Sequence, residues 1–502
     1  MGNGPGGLKD YIELFREEPL VQGGLVWEWN NHGLLKKEGD VKYFAYGGDF
    51  GDEPNDADFI MDGLTLSEHT PTPGLIEYTK AIQPITARLS EDLSKIVVTN
   101  HYDFVDLSRL KAFWHVVQDG DETEAEKLEL PQIPAGENRT VDLPIDKDGL
   151  TQEAWLTIEF QLALNTSWAP EGHPVAWDQL YLAGPSGSRK RDRVTRDVTH
   201  VTRQDGLNVT EQRTRLLVTD GPSTYGFDLL QGNVTWNIDG VEILERGPEL
   251  FFYRAVTQND LGGSGDWPAN WRGPRVDMMS TQVRGVTWIE SDDGFTVHFK
   301  VFVGAIDRVW GAEADIIYTI VPGEPLLQVH ARGDFIGEQK PTVLPHIGLM
   351  AVLPKQFDDV AWFGRGPGEN YADSKEGCRV GRYDSSVDGL FFDYEYPQEN
   401  GNHEDVRWVR LATTPDGGGN SKTLDARRAD GSSSFSFTAR RYMPWDLDRA
   451  QHPHDLEPLN MTVLHLDYDT HGLGSATVGP APFEPYRCYA EPFDFTFELS
   501  IV

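Results

Sequence analysis

Cysteine is nearly missing from these 502 residues; the chain has two, Cys378 and Cys488. Two thiols so far apart make no disulfide framework and point to a reducing compartment. Basic residues are scarce against acidic ones, 44 Lys and Arg facing 80 Asp and Glu, for a formal charge of −36. That sign repels phosphate backbones and anionic lipid surfaces, so no nucleic-acid and no membrane partner is expected. The acidic excess reads as a solvated surface, with a salt-adapted or acid-tolerant host as the other reading. No run approaches the roughly 18 continuous apolar residues of a spanning helix, and the N-terminus lacks a basic-then-apolar leader pattern. A cytoplasmic protein is expected, with secretion left open because Met1 can be internal to a longer protein. Metal-like spacing is absent too. His346, His465 and His471 show no ligand pairing, and His452-Pro453-His454 reads as exposed loop histidines. Five N-x-S/T sequons, at Asn138, Asn165, Asn208, Asn233 and Asn460, occur as they do by chance in such a composition.

What is present suggests three or four domains, on a scale of about 150 residues each. A hydrophobic content of 39% is ample for several cores. The densest stretch is Gly23 to Leu64, where aromatics, glycines and carboxylates crowd together. Before it, Leu8, Tyr11, Ile12 and Phe15 fall on one face of a predicted amphipathic helix, which Pro19 and Gly23-Gly24 end. Leu25-Val26-Trp27-Glu28-Trp29 reads as a strand buried on both faces. Helix, loop and buried strand make about one step of an α/β barrel, and in such barrels chemistry sits where strands end. Glu68 to Pro73 is a proline-punctuated turn, and Leu75 to Tyr78 reads as helical.

From about Gln83 to Ala183 the period becomes two. Lys95–Thr99, Lys111–Val117 and Ala154–Ile158 are predicted strands of a sandwich of about 100 residues. Gly184 to Arg191 is small, polar and basic, as in a linker, or alternatively a sandwich loop. From about Asp197 to Val502 strands recur between Gly, Pro and Asp turns, with Asp430 to Ser434 read as a hairpin-like turn. The expected division is 1–82, 83–183, a linker 184–196, and 197–502.

MGNGPGGLKDYIELF, QGGLVWEW and YGGDFGDEPNDADFIMDGL, in that order at short spacing, resemble the glycoside hydrolase family 2 β-galactosidases of the bacterial and yeast lactase type. Ala361–Tyr371 (AWFGRGPGENY), Tyr396–Gly401 and His465–Pro480 resemble the terminal β-domain of that family. The resemblance spans essentially the whole chain but only the C-terminal half of a complete enzyme. It implies a mainly β protein: the C-terminal remnant of a TIM barrel, an immunoglobulin-like β-sandwich, then a large antiparallel β supersandwich.

The family's reaction is retaining hydrolysis of terminal β-D-galactose, as in lactose. It needs two carboxylates about 5–5.5 Å apart. By the resemblance the nucleophile stands about five residues before a Met-Gly-Asn motif, here Met1-Gly2-Asn3, and the acid/base lies further upstream. This chain is therefore expected to have no catalytic residues and to be inactive alone. Glu28, Asp49, Asp52, Asp56 and Asp62 are the local carboxylates, and a packed structural role is expected for Glu28.

Trp27 matches a wall of the galactose pocket, where an indole face stacks on sugar C–H groups. Val478 stands where relatives often carry tryptophan or cysteine, so a looser hold on the aglycone is expected. Phe59, through its carbonyl, and Asp62 match a sodium site whose remaining protein ligand lies upstream. Asn55 lies near the family's magnesium region. Arg254 to Gly265 resembles a loop at the active-site mouth. The implied partners are a β-galactoside, the missing N-terminal half, or further copies of the chain. A non-catalytic carbohydrate-binding or complementing small subunit is the alternative. A mutarotase-like activity would need convergent His and Glu side chains in one groove.

Overall fold

The computed structural model describes residues 4–91, 94–143, 145, 150, 152–183, 207–261, 271–291, 294–307, 309–413, 421–429, 434–475 and 479–502. The linker 184–196, Val478, Gly262 to Gly265 and most of Asp430–Ser434 lie outside the described residues.

The first helix forms as its periodicity predicts, over Leu8–Glu17. It contacts a second helix, Pro73–Ala81, which starts on a proline whose missing N–H is no loss at that position. Between them runs a hairpin of Leu34–Glu38 and Val41–Ala45, in register Leu34↔Ala45.

Leu25 to Trp29 corrects the sequence reading, because it is not a strand. It keeps strand-like hydrogen bonds on one side only. Glu28 N–H donates to the Asp62 carbonyl (3.1 Å), Leu64 N–H to the Glu28 carbonyl (2.9 Å) and Thr65 N–H to the Trp29 carbonyl (2.9 Å). A doubly buried parallel strand needs a neighbour on each side and a layer over each face. Among the described residues neither is complete here, so Leu25 is 100% and Trp27 78% exposed.

The next segment is a sandwich of two sheets. One has three strands, Ile85–Leu89, Lys95–Asn100 and Asn138–Asp142. The other is centred on Leu110–Gln118, flanked by Ala154–Leu162 and then Pro174–Ala183. Alternate residues turn inward, and Ile96, Val98, Trp114, Leu156, Ile158 and Phe160 close one core.

The rest is larger than an ordinary sandwich. A nine-stranded antiparallel sheet faces a five-stranded one, and a five-stranded meander over Asn208–Leu244 packs into the same core. Strand alternation is plain in Gly311–Ile320 and Phe493–Ile501. Strand His346–Pro354 is buried along its whole length, because it lies inside the five-stranded sheet with matter on both faces. The strands flanking the Asp430–Ser434 turn do not pair. Thr423–Arg428 belongs to the nine-stranded sheet and Phe435–Arg440 to the five-stranded one, so the connection crosses between sheets rather than closing a hairpin.

Several joints fix the parts to one another, among them the following. Trp177 lies between Lys80 (4.2 Å to the ring) and Arg379 (4.3 Å), and Lys80 also pairs with Asp178 at 2.6 Å. Glu395 accepts from Asn31 Nδ2 (2.7 Å), Ser67 N (2.9 Å) and Ser67 Oγ (2.9 Å). Glu77 accepts the Gly377 N–H at 2.7 Å.

Candidate functional site

A groove of about 370 Å³ opens where the first segment meets the terminal sandwich. One wall is the apolar face of Leu8–Glu17, with Leu8, Tyr11, Ile12 and Phe15. Val26 and Trp27 form the second wall, and Asn259 and Ser475 close the third. Trp27 is largely exposed, so its indole face is offered to the groove rather than packed in a core. The Trp27–Glu28 peptide is cis.

Four segments that are distant in sequence are held at this mouth by backbone-directed bonds. Asn259 donates through Nδ2 to the carbonyls of Gly474 (2.7 Å) and Gly4 (3.2 Å). The buried Asp373 carboxylate receives the N–H groups of Leu473 and Gly474, both at 2.7 Å. Burial raises the Asp373 pKa, and those two donors act in the opposite sense. Gly7 N–H reaches the Asp373 carbonyl at 2.8 Å. Gly6 is required by close approach, since a Cβ there would lie 2.3 Å from the Gly474 nitrogen. Tyr11 Oη and Ser475 Oγ are 3.2 Å apart. Arg254 grips Asp260 with two bonds, of 3.0 and 3.3 Å, which sets the turn that presents Asn259.

The sequence-predicted residues divide. Trp27 and Asp62 both line the groove, whereas Phe59 and Asn55 are not among its lining residues. Phe59 sits half-exposed on a short 3-10 helix, Ala57–Ile60. Asp62 is buried, and its Oδ1 has no hydrogen-bond partner among the described residues. An orphaned carboxylate oxygen beside an irregular backbone suits a hard cation, so Asp62 fits one ligand of the expected sodium site. Asn55 is spent on its own turn. Its Nδ2 donates to the Asp52 carbonyl (2.8 Å) and its Oδ1 accepts from Ala57 N–H (3.1 Å), so it does not fit a magnesium ligand aimed outward. Glu28 Oε1 lies 3.4 Å from His32 Nε2, in a local contact one helical turn's spacing away in sequence. Among the described residues, Asp62 is the one acidic side chain lining the groove.

Sequence reasoning missed Asp373 and Glu395, which position the walls. Both adjoin motifs already singled out, Asp373 just after Ala361–Tyr371 and Glu395 just before Tyr396. It also missed a buried grouping of His346, His465 and Asp467. The cavity beside that grouping includes Glu399 and His471, but its free volume of about 10 Å³ is the size of one water, not of a sugar.

Barrel segment, sandwich and supersandwich, with an exposed indole at the joint between first and last, define a multidomain, mainly β protein. Comparison makes this particular. A model of the TIM barrel domain of glycosyl hydrolases family 2 matches residues 1–87. Models of β-galactosidase domain 4 and of the β-galactosidase small chain match 96–183 and 219–499. The β-galactosidase of Kluyveromyces lactis is 31% identical over 513 residues, covering 100% of this chain and 46% of that protein. That of Arthrobacter sp. strain B7 is 31% identical, covering 96% and 47%. The chain belongs to the β-galactosidases of glycoside hydrolase family 2, and it corresponds to their C-terminal half. It spans about half the length of the curated relatives it matches. A putative aldose 1-epimerase from Escherichia coli K12 aligns with 59% of this chain and 99% of its own at 11% identity, with a TM-score of 0.32. Among the described residues no helix is long and apolar enough to cross a membrane.

Proposed function

We propose that this chain serves the hydrolysis of terminal β-D-galactosides by completing the sugar pocket, while the two catalytic carboxylates come from a barrel segment outside these 502 residues. The observation that carries this reading is the groove itself. It offers a largely exposed indole, Trp27, to a sugar face, yet among the described residues its lining holds a single carboxylate, Asp62. Retaining hydrolysis needs an acid/base and a nucleophile about 5–5.5 Å apart, and one carboxylate cannot serve as both. In this role Trp27 stacks on the galactose, and Asp62 and the Phe59 carbonyl hold sodium. Sodium supplies a fixed positive charge that orients sugar hydroxyls. Magnesium, in this reading, is held mainly by the barrel segment, outside these residues. The division 1–82, 83–183 and 197–502 belongs to the same proposal. So do assembly with a barrel-bearing half or with further copies, and a cytoplasmic setting.

The exposed surface of Leu25, Trp27 and Trp29 beside the open edge of residues 25–29 favours a partner that pairs with that edge. It also weighs against a free-standing carbohydrate-binding module. The test uses nitrophenyl β-galactoside. The chain alone gives no turnover. Mixing it with a separately expressed barrel-bearing half of a family member restores turnover, and Trp27→Ala lowers it at least tenfold. Turnover by the chain alone that disappears in Glu28→Gln would overturn the proposal.

A further inference from the structure

The five-stranded sheet of the terminal domain carries a second constellation, on the face turned away from the apolar core. Strands His346–Pro354 and Met461–Thr470 pair antiparallel, with Met350 opposite His465 and Gly348 opposite Asp467. Ile347, Leu349, Leu353, Leu464 and Leu466 point into the core. The alternate residues therefore emerge together on the other side, which brings His346, His465 and Asp467 into one group. All three are buried, at 3%, 1% and 3% exposure. Each offers one donor atom, and these atoms lie within 4.8 Å of one another.

We propose that His346, His465 and Asp467 form a binding site for one divalent transition-metal ion of the zinc type. Three observations support it. First, the ring nitrogens are orphaned: both nitrogens of His465 and Nε2 of His346 are buried without a hydrogen-bond partner among the described residues. Such groups cost free energy unless something occupies the space they face. Second, the geometry is that of paired imidazole ligands. The two rings are 5.5 Å apart between centroids and tilted by 54°. Two imidazoles bound tetrahedrally at Zn–N distances of about 2.0–2.1 Å place their centroids about 5 Å apart. His346 Nδ1 donates to Asp467 Oδ1 at 2.6 Å. That bond leaves Nε2 with its lone pair outward, the carboxylate–histidine arrangement that orients a metal ligand. Third, the strand makes room for it. A Cβ on Gly348 would lie 2.2 Å from Asp467 Oδ1.

Charge is compatible with a cation although two arginines share the cavity wall. Arg254 is paired with Asp260 at 3.0 Å and Arg440 with Glu399 at 3.0 Å, so neither guanidinium stands uncompensated. The adjoining free volume of about 10 Å³ suits one ion or one water and nothing larger.

The full chain, stripped with a chelator and dialysed, is titrated with Zn²⁺ and with Co²⁺. We expect about one ion per chain by elemental analysis, an intense visible Co²⁺ band, and an X-ray absorption shell of two imidazole nitrogens plus oxygen. His465→Gln and Asp467→Asn should each weaken binding at least tenfold. Replacement of the exposed His454, as His454→Gln, should leave it unchanged. No stoichiometric uptake by the parent, an absorption shell of oxygen or sulfur without imidazole, or loss of binding in the surface variant would each overturn the site. The X-ray absorption readout needs no variant, so misfolding of His465→Gln does not blunt the test. None of these outcomes depends on β-galactoside hydrolysis.

Discussion

Replacing Glu77 by glutamine should make the protein more stable at alkaline pH and remove part of its pH dependence. Glu77 is 3% exposed on helix Pro73–Ala81, at the joint with the terminal domain. One carboxylate oxygen accepts the Gly377 N–H at 2.7 Å, and the other has no partner among the described residues. Burial dominates and pushes the pKa from 4.5 up to about 7, with the Gly377 bond acting in the opposite sense. The sign comes from proton uptake. Between those two values the folded chain holds a proton at Glu77 that the unfolded chain has released, so stability is lost as pH rises through this window. At about 1.4 kcal/mol per pKa unit, the loss between pH 5 and pH 8 is about 2–3 kcal/mol. Glu77→Gln keeps an oxygen for Gly377 and carries no charge, so this portion should vanish. Urea unfolding of parent and variant, measured at several pH values from 5 to 8, gives the difference. Glu369, buried and also raised to about 7, titrates in both chains and cancels. Parallel stability curves for parent and variant across that range would refute the reasoning.

Other outcomes rest on the same physics. Chymotrypsin should cut first near Trp27 and Trp29, whose backbone is paired on one side only, while the terminal sandwich survives; equal protection of both contradicts the exposure described here. Gly6→Ala drives a Cβ against the Gly474 backbone, should cost about 3 kcal/mol, and should speed hydrogen exchange across Leu8–Glu17; unchanged exchange there would show that the contact at Gly474 does not hold the helix. Arg254→Met removes the cation bound to the buried Asp260, should cost about 3–5 kcal/mol by thermal unfolding, and should be partly repaired by Asp260→Asn in the same chain; an additive double variant would deny the pairing.

Much of the fold was readable because local chemistry dictated it. The apolar spacing of Leu8 to Phe15 made a helix, and period-two alternation over Lys95–Asn100, Leu110–Gln118 and Ala154–Leu162 made strands. Family-like motifs singled out Trp27, Asp62 and the loop from Arg254, and Trp27, Asp62 and Asn259 of that loop line one groove. Leu25 to Trp29 was misread because a buried strand and an unpartnered apolar segment share one hydrophobic pattern, and only the neighbours distinguish them. The crossing between sheets at Asp430–Ser434 was illegible for the same reason: turn residues announce a reversal, not which sheet receives the next strand. The grouping of His346 with His465 and Asp467 depended on strand register and on a glycine opposite Asp467, across more than a hundred residues of chain. The sequence alone thus determined the family, the β-rich class and the indole that lines the groove, because these rest on local pattern. Tertiary structure decided which carboxylates and histidines meet, which edges stay open and how much charge is buried, because each of those depends on the groups packed beside a residue in space rather than on its neighbours along the chain.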